Sequence, residues 1–397
     1  MNTFRILRIC ICSVILVMAL GSNADTTHTE TVNGITWTYT VSNGKASIGG
    51  GSQSFPAMPR SVVGAIEIPS VLGGYPVTKI ARYAFYSCRE MVSLTIPASV
   101  TSIEDYAFRG CSSLTHVAFG SGVVEIGSSV FYGSGIESFA VDEQNSAYKS
   151  VSGLLLTKDG KTLIYGINGD VTIPAGVKSI SDSAFASCRR LTSVLIPNSV
   201  ISIGSCAFER CDTLTLVKMP DAVTNIGYRA FYACTGLSSI TIPDGVISIG
   251  DNAFSFCSGL TSVMIGRGLT SIGSEVFDGC NSMEQFIVDE RNSAYKSVSG
   301  LLLTKDGKKL ISGVSRDVTI PDGVMSIDSW AFYLCTNLTS VTIPASVTSI
   351  GDYAFRQCYG LTNITFSIGV TSIGLDAFYY CRNLTSVVIP DSVTSKL

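Results

Sequence analysis

Apolar and polar residues alternate in a pattern that recurs along most of this chain. The stretch CTNLTSVTIPASVTSIGDYAF, residues 335–355, shows the pattern in full. The first apolar residues of this stretch predict a short strand with one buried face, and Pro344 ends that strand. The apolar residues after Pro344 fill two further sides of the turn. The two sets are Leu338, Val341 and Ile343, then Val347, Ile350, Ala354 and Phe355.

The pattern mostly repeats every 23 residues. A period in the twenties is typical of a solenoid, in which each unit buries its apolar residues against its neighbours. Two units, those that begin at Val123 and Leu269, are longer, with 54 and 55 residues. The units begin at Val77, Val100, Val123, Val177, Val200, Val223, Val246, Leu269, Val324, Val347 and Val370. A glycine recurs in phase, for example Gly351, and we expect it to permit the tight turn that returns the backbone.

Both long units carry the same insertion. The segments Val141–Lys161 and Val288–Lys308 differ only at Gln144 against Arg291, which indicates that a block of repeats was duplicated whole.

Each insertion contains two strand-like runs around a Lys-Asp-Gly turn, which predicts a β-hairpin. We place the hairpin insertions at about 142–170 and 289–317 and expect them to project from the stack as flaps.

The residues before the first repeat predict a further hairpin. In the stretch 35–41 apolar residues alternate with threonines, and Asn43-Gly44 then turns the chain into Lys45–Ile48. We expect this hairpin, within an N-terminal segment at 25–76, to cap the open end of a solenoid that spans 77–397.

The first residues indicate a signal peptide at 1–24. Arg5 and Arg8 precede the apolar segment Ile9–Leu20, and Ser22-Asn23-Ala24 forms a small-residue cleavage site. We expect the mature chain to begin at Asp25 and to be secreted. The apolar segment is too short to span a hydrocarbon core of roughly 30 Å, so we expect no stable membrane insertion after cleavage.

The repeat Cys-x-x-Leu-x-x-Val/Ile-x-Ile-Pro-x-x-Val-x-x-Ile-Gly-x-x-Ala-Phe, as in Cys335–Phe355, resembles the BspA-type leucine-rich repeat of bacterial and protozoan surface proteins. The resemblance covers about 77–397. It implies an α/β-type repeat solenoid, β-dominant, wound as a right-handed leucine-rich-repeat superhelix of about 11 repeats of 23 residues, with an N-terminal capping β-hairpin and two β-hairpin insertions. It also implies a secreted or surface-exposed, adhesin-like protein that binds protein ligands, such as extracellular matrix or host-surface components.

Composition excludes several classes of function. Charged residues are 14% of the chain and hydrophobic ones 46%, which excludes a highly charged disordered protein. The net charge is −3 and the basic residues are scattered, so no basic stripe is available for nucleic acid or an anionic membrane.

The regular spacing of the cysteines predicts a structural role and not metal binding or disulfide formation. A column of side chains does not converge on one metal ion, and its Cβ spacing does not suit disulfides. We therefore predict reduced, buried thiols that act as small apolar filling. Cys206 stands outside the column and is the thiol we expect to be most exposed. The column comprises Cys88, Cys111, Cys188, Cys211, Cys234, Cys257, Cys280, Cys335, Cys358 and Cys381.

Catalytic chemistry has little support in the sequence. His28 and His116 are the two histidines, and neither has a nucleophile or carboxylate at a recognisable spacing. We predict no catalytic residue, no metal site and no cofactor. A secreted carbohydrate-binding or carbohydrate-active solenoid remains the alternative, with glycans as ligands.

Two surfaces are candidate binding sites. Thr241, Met264, Thr342 and Thr365 point outward from the strands, while Tyr228 and Trp330 lie on the opposite, aromatic side. A purely structural interpretation also fits, because β-branched residues suit exposed strands and aromatic rings stack on each other.

Overall fold

Short strands make up the regular structure of the chain. The computed structural model describes residues 26–54 and 56–394, so the predicted signal peptide lies outside the described residues. The first strands are β1 (Thr27–Val32), β2 (Ile35–Ser42), β3 (Lys45–Ile48), β4 (Gly64–Glu67), β5 (Val71–Leu72), β6 (Tyr75–Ile80), β7 (Met91–Ile96), β8 (Ser102–Ile103), β9 (His116–Phe119), β10 (Glu125–Ile126) and β11 (Ser138–Val141).

The middle of the chain contains β12 (Tyr148–Val151), β13 (Leu154–Thr157), β14 (Thr162–Tyr165), β15 (Val171–Thr172), β16 (Ser179–Ile180), β17 (Ser193–Leu195), β18 (Ser202–Ile203), β19 (Leu216–Lys218), β20 (Asn225–Ile226), β21 (Ser239–Ile242), β22 (Ser248–Ile249), β23 (Ser262–Ile265), β24 (Ser271–Ile272) and β25 (Gln285–Val288).

The last part contains β26 (Tyr295–Val298), β27 (Leu301–Thr304), β28 (Lys309–Ser312), β29 (Val318–Thr319), β30 (Ser326–Ile327), β31 (Ser340–Ile343), β32 (Ser349–Ile350), β33 (Asn363–Phe366) and β34 (Ser372–Ile373). Within the described ranges, no helix is long and apolar enough to cross a membrane.

The repeats stack as the turns of a β-solenoid. Most units contribute one two-residue strand and one longer strand, and these pair in parallel with their equivalents in the neighbouring units. Ile203 of β18, for example, lies beside Ile226 of β20, which lies beside Ile249 of β22. The predicted β-dominant leucine-rich-repeat solenoid is confirmed, and it consists of strands and turns where the structure describes it.

The insertions are built into this stack, so the prediction of projecting flaps is wrong. Strands β12, β13 and β14 pair antiparallel in order, and β14 then pairs in parallel with β16, with Leu163 beside Ile180. Three consecutive leucines of β13, Leu154 to Leu156, are all buried. Each insertion thereby supplies a turn of its own, which is why the solenoid has about 13 turns and not 11.

A buried asparagine marks the start of each insertion. Asn145 and Asn292 are fully buried at the position where a normal unit has its first valine. The Asn145 amide nitrogen donates to the Val123 carbonyl at 2.9 Å, and its Oδ1 accepts from the backbone N–H of Tyr148 at 2.8 Å. These bonds connect the preceding turn to the hairpin.

Stacked phenylalanines fill the centre of the solenoid. The rings of Phe208, Phe231 and Phe254 are nearly parallel, with centroids 5.0 and 5.2 Å apart.

The recurring glycines allow the backbones of neighbouring turns to lie close together. A Cβ at Gly351 would lie 2.4 Å from the backbone nitrogen of Ser329, and its φ is not left-handed, so close approach and not turn geometry explains this glycine.

The N-terminal hairpin prediction is confirmed. Strands β2 and β3 pair antiparallel around Asn43 and Gly44, whose φ values of 51° and 71° suit a tight hairpin turn. Strand β3 then pairs in parallel with β6, whose last two residues pair with the two-residue strand β8, and β1 pairs with β2 on the outside. Trp37 is 1% exposed and packs edge-to-face against Phe85, so it covers the first ring of the aromatic core.

Candidate binding surfaces

The outward residues of the longer strands form one exposed surface, the strand face. Thr241 of β21, Met264 of β23 and Ile287 of β25 are register neighbours. Thr342 of β31 and Thr365 of β33 are likewise neighbours, in a separate sheet. The structure therefore places the predicted strand residues in two exposed columns and not in one compact site.

A shallow groove runs along the first of these columns. It has a volume of about 380 Å³, and its lining includes Thr241, Met264, Asp244 and Asp289. Hydrogen bonds from Arg291 hold the pKa of Asp289 at about 2. Asp244 forms an ion pair with a nearby arginine. Asp289 is therefore an ionised contact at the surface and is poorly suited to donate a proton.

The loops around the Ala-Phe pairs form the aromatic edge, a second exposed surface. Two residues in each loop adopt left-handed backbone, as Tyr353 and Gln357 do with φ of 58° and 60°. This conformation directs their backbone N–H groups to the next turn, where they donate to the carbonyls of Leu375 and Tyr379, both at 2.8 Å. Such backbone is costly for residues other than glycine, and the neighbouring turn compensates the cost.

Tyrosines, tryptophan and arginines stack along this edge. The rings of Trp330 and Tyr353 lie 4.3 Å apart, and the guanidinium of Arg356 lies 5.2 Å from the Tyr353 ring. Near the N-terminal end, Tyr83 and Tyr106 stack with centroids 5.3 Å apart. Stacked rings and cation–π contacts hold these side chains in place before any ligand binds.

The middle of the aromatic edge contains Tyr228, which is 48% exposed. Beside it, the Arg229 guanidinium lies 3.7 Å from the centre of the Tyr232 ring. Phe256 contacts both Tyr232 and Tyr333, at 5.4 and 6.3 Å, and thereby continues the edge across the second insertion. Sequence reasoning missed Phe256 and the arginines, although they lie in the loops around the Ala-Phe pairs, as the predicted Trp330 does.

Each insertion opens a notch in the aromatic edge. The first notch, between the loops around Arg109, Tyr132 and Arg189, has a volume of about 700 Å³. The second notch, between the loops around Asp278 and Trp330, has about 210 Å³. Sequence reasoning could not find either notch, because it placed the insertions outside the stack.

The cysteine column is buried, as the pattern predicted. The described cysteines are free thiols, and the ten of the column are buried, whereas Cys206 is partly exposed. Burial raises the pKa of the Cys188 and Cys257 thiols to about 12. Within residues 26–54 and 56–394, no cluster of three or more histidine, cysteine or acidic residues could hold a metal ion.

The chain is similar in sequence to known repeat proteins. The sequence profile of the BspA-type leucine-rich repeat region matches residues 77–152, 170–297 and 312–396, in 6 copies. No match was found among curated proteins.

Three solved structures with a similar chain come from bacteria. A leucine-rich cell surface protein of Faecalibacterium prausnitzii is 27% identical, with a TM-score of 0.53, and the match covers 93% of this chain and 84% of that one. A leucine-rich repeat protein of Bacteroides ovatus is 24% identical over 89% and 93% of the two chains, with a TM-score of 0.46. The pneumococcal vaccine antigen PcpA is 18% identical over 77% and 94%, with a TM-score of 0.40. Because the repeat profile spans most of the chain, the protein belongs to the family with BspA-type leucine-rich repeats.

Proposed function

We propose that this chain is a secreted or surface-exposed, non-enzymatic, adhesin-like protein that engages protein ligands over its extended repeat surface. The main support for this proposal is the aromatic edge. Tyrosine, tryptophan and arginine are the residues that dominate binding energy at protein interfaces, and here they alternate in pre-stacked clusters from Tyr83 to Tyr380.

The strand face supports the proposal as a second contact area. Its outward residues Thr241, Met264 and Thr342 are exposed and uncharged. Side chains of this kind add contact area but offer no acid or base. Extracellular matrix and host-surface proteins are the ligand class we propose, because the repeat family and the F. prausnitzii cell surface protein point to the cell exterior.

A binding assay tests this function. The chain from Asp25 onward would be screened against immobilised matrix and epithelial surface proteins. An edge variant with Tyr228→Ala, Phe256→Ala and Tyr379→Ala should then weaken binding to any hit by at least about tenfold. All three side chains are exposed, between 37% and 48%, so the variant should keep its fold.

A matched control exists on the remaining side of the solenoid. Ile201, Ile247 and Met325 are exposed to a similar degree, between 46% and 53%, and lie beside the short strands. Their replacement by alanine removes a comparable apolar surface and should leave binding within about twofold. Equal losses in both variants would contradict a role for the aromatic edge.

The alternative function is a carbohydrate-binding or carbohydrate-active protein. The first notch favours its binding form, because it is a large, polar and partly aromatic cavity. Turnover of a glycan in a substrate screen with purified chain would overturn the non-enzymatic proposal.

A further inference from the structure

The first notch exists because the insertion turn lacks the Ala-Phe loop. This turn passes through Gly166-Ile167-Asn168-Gly169 where other turns bulge outward. The ring of Phe185 covers Gly166 so closely that a Cβ there would lie 1.9 Å from the ring. A gap one turn wide is left between the loops on either side, and its shape is fixed by the stack and not by mobile segments.

Four arginines line this notch. Arg190 pairs with Glu137 at 2.8 Å, and Arg189 lies 3.8 Å from Asp212. The other two, Arg89 and Arg109, have no carboxylate within ion-pair distance among the described residues. The notch therefore carries two positive charges without a protein counterion.

The two unpaired arginines lie among aromatic and polar groups. The Arg109 guanidinium lies 4.8 Å from the centre of the Tyr132 ring, which holds it at the notch wall. Ser187 also lines the notch and is 4% exposed, yet its hydroxyl has no hydrogen-bond partner among the described residues. A buried hydroxyl without a partner is costly. The Ser187 oxygen is itself buried in the free chain, so a ligand in the notch supplies the missing bond once the side chain rotates toward it.

The internal duplication shows that the solenoid does not need these arginines. The two hairpins are almost identical, but the loops beside them have diverged. The counterparts of Arg89, Arg109, Arg189 and Arg190 in the second half of the chain are Thr235, Ser255, Thr336 and Asn337, and none of these lines the second notch. The second notch is instead lined mainly by residues that precede the loop phenylalanines, among them Glu275 and Asp328. The same scaffold therefore folds without a basic notch of this kind at the second insertion.

We propose that the first notch is a binding site for an acidic polysaccharide. The carboxylate or sulfate groups of the polysaccharide pair with Arg89 and Arg109, whose planar guanidinium groups can bind such anions through two hydrogen bonds. A sugar hydroxyl completes the hydrogen bonding of Ser187, and a pyranose ring packs beside Tyr86 and Tyr132. The site goes beyond protein binding and does not depend on it.

An acidic peptide fits the notch less well. Extended peptides commonly bind by adding a strand to a free sheet edge. The residues that line this notch lie in turns and none belongs to a strand, so no such edge is offered. The notch offers guanidinium groups, hydroxyl groups and aromatic rings as contacts. These groups match a polyhydroxylated, anionic chain.

Calorimetric titration with defined oligosaccharides tests the proposal. The chain from Asp25 should bind a heparin hexasaccharide or a hyaluronan oligosaccharide at about 150 mM salt, and should not bind a neutral maltohexaose. The double variant Arg89→Gln, Arg109→Gln should weaken binding by at least about tenfold, because charge-assisted hydrogen bonds are lost. The control Arg267→Gln, Arg291→Gln changes net charge equally outside the notch and should stay within about twofold.

Ser187→Ala separates a ligand contact from a structural role. Because the Ser187 hydroxyl has no partner, its removal should leave the melting temperature unchanged or raise it, while oligosaccharide affinity falls a few-fold. Three results would overturn the proposal. These are no binding of either acidic oligosaccharide, equal losses in the two arginine variants, and binding of polyglutamate as tight as that of the oligosaccharides. Protein-ligand affinity of the Ser187→Ala variant, in which no exposed side chain of the aromatic edge changes, separates failure of this proposal from failure of the proposed protein binding.

Discussion

The Sγ atom of Cys234 lies 3.0 Å from the backbone carbonyl oxygen of Phe208 in the preceding turn, and donates a hydrogen bond to it. The same bond recurs along the column, for example from Cys111 to Phe85 and from Cys358 to Phe332. The thiols therefore tie each turn to the previous one as well as filling space, which composition alone could not show.

The column thiols should be protected from alkylation in the native protein. Burial keeps the reagent away from the column and raises the pKa of Cys257 to about 12. The pKa of Cys206 is also raised to about 12, so its partial exposure is what should make it react first. Native iodoacetamide treatment followed by peptide mass mapping should label Cys206 first and the column only after denaturation. Disulfides between column cysteines, detected in unreduced peptides, would be incompatible with this arrangement.

Asn145 should be critical for the junction between the repeats and the first hairpin. Its side chain bonds the carbonyls of Gly120 and Val123 and the backbone N–H groups of Ala147 and Tyr148. Asn145→Ala would leave these buried groups without partners and should cost roughly 3 kcal/mol of unfolding free energy.

Hydrogen exchange provides the measurement for Asn145→Ala. Protection should fall first at β12 and β13, because their connection to the preceding turn is weakened. The exposed Asn198 serves as the control, and Asn198→Ala should leave the exchange pattern unchanged. Unaltered protection at the hairpin in Asn145→Ala would show that the turn is held by other contacts.

The repeat period made most of the fold predictable. Regular apolar columns identified the strands, and the Lys-Asp-Gly turns identified both hairpins. The role of the hairpins was not predictable, because residues 161–174 lack the Val-x-x-Ile-Gly and Ala-Phe signals of a turn. Only the pairing of β14 with β16 shows that this segment completes one.

The binding surfaces were less predictable than the fold. Alternation correctly placed Met264 and Thr342 on an exposed face, since side-chain direction follows from strand period. The notches depend on a loop that is absent from the insertion turn, and Arg89 and Arg189 line one notch only because the stack places units 100 residues apart on the same edge. A repeat pattern carries no signal for such a gap.

Gly166 should be required for the packing of the first notch. Gly166→Ala places a Cβ within the Phe185 ring and should destabilise the chain by about 1–3 kcal/mol through overpacking. A double-mutant cycle with Phe185→Leu, followed by chemical denaturation, checks the cause. The alanine should cost less when the ring is absent, and an equal cost in both backgrounds would indicate a backbone effect instead.

Asp278 should make stability depend on pH. Burial, and then the neighbouring carboxylates of Glu275 and Asp328, raise the pKa of Asp278 from 3.8 to about 8. The folded chain therefore retains a proton that the unfolded chain releases above about pH 4. The stability from this group is complete below that pH and is lost as the pH rises through about 8, by on the order of 2 kcal/mol once solvent screening is allowed for.

The variant Asp278→Asn tests this dependence. It should be more stable than the parent at pH 8 and should flatten the profile of melting temperature between pH 5 and pH 8. Asp322 is exposed, so Asp322→Asn makes the same substitution at a solvated site and should leave the profile unaltered. A parent protein whose stability rises over this range would show that Asp278 is ionised in the fold.

Contacts with a protein ligand should add up across the two surfaces. One variant carries Thr241→Glu, Met264→Glu and Thr342→Glu, which place three carboxylates on the strand face that must lose water when a ligand binds. The edge variant replaces Tyr228, Phe256 and Tyr379 by alanine on the other side. If many weak contacts act together, each variant should weaken affinity in part and their combination should give the sum of the two losses in binding free energy. Titration of one identified ligand by biolayer interferometry measures all four combinations. A complete loss in one variant, with no effect of the other, would point to a single compact site and against an extended surface.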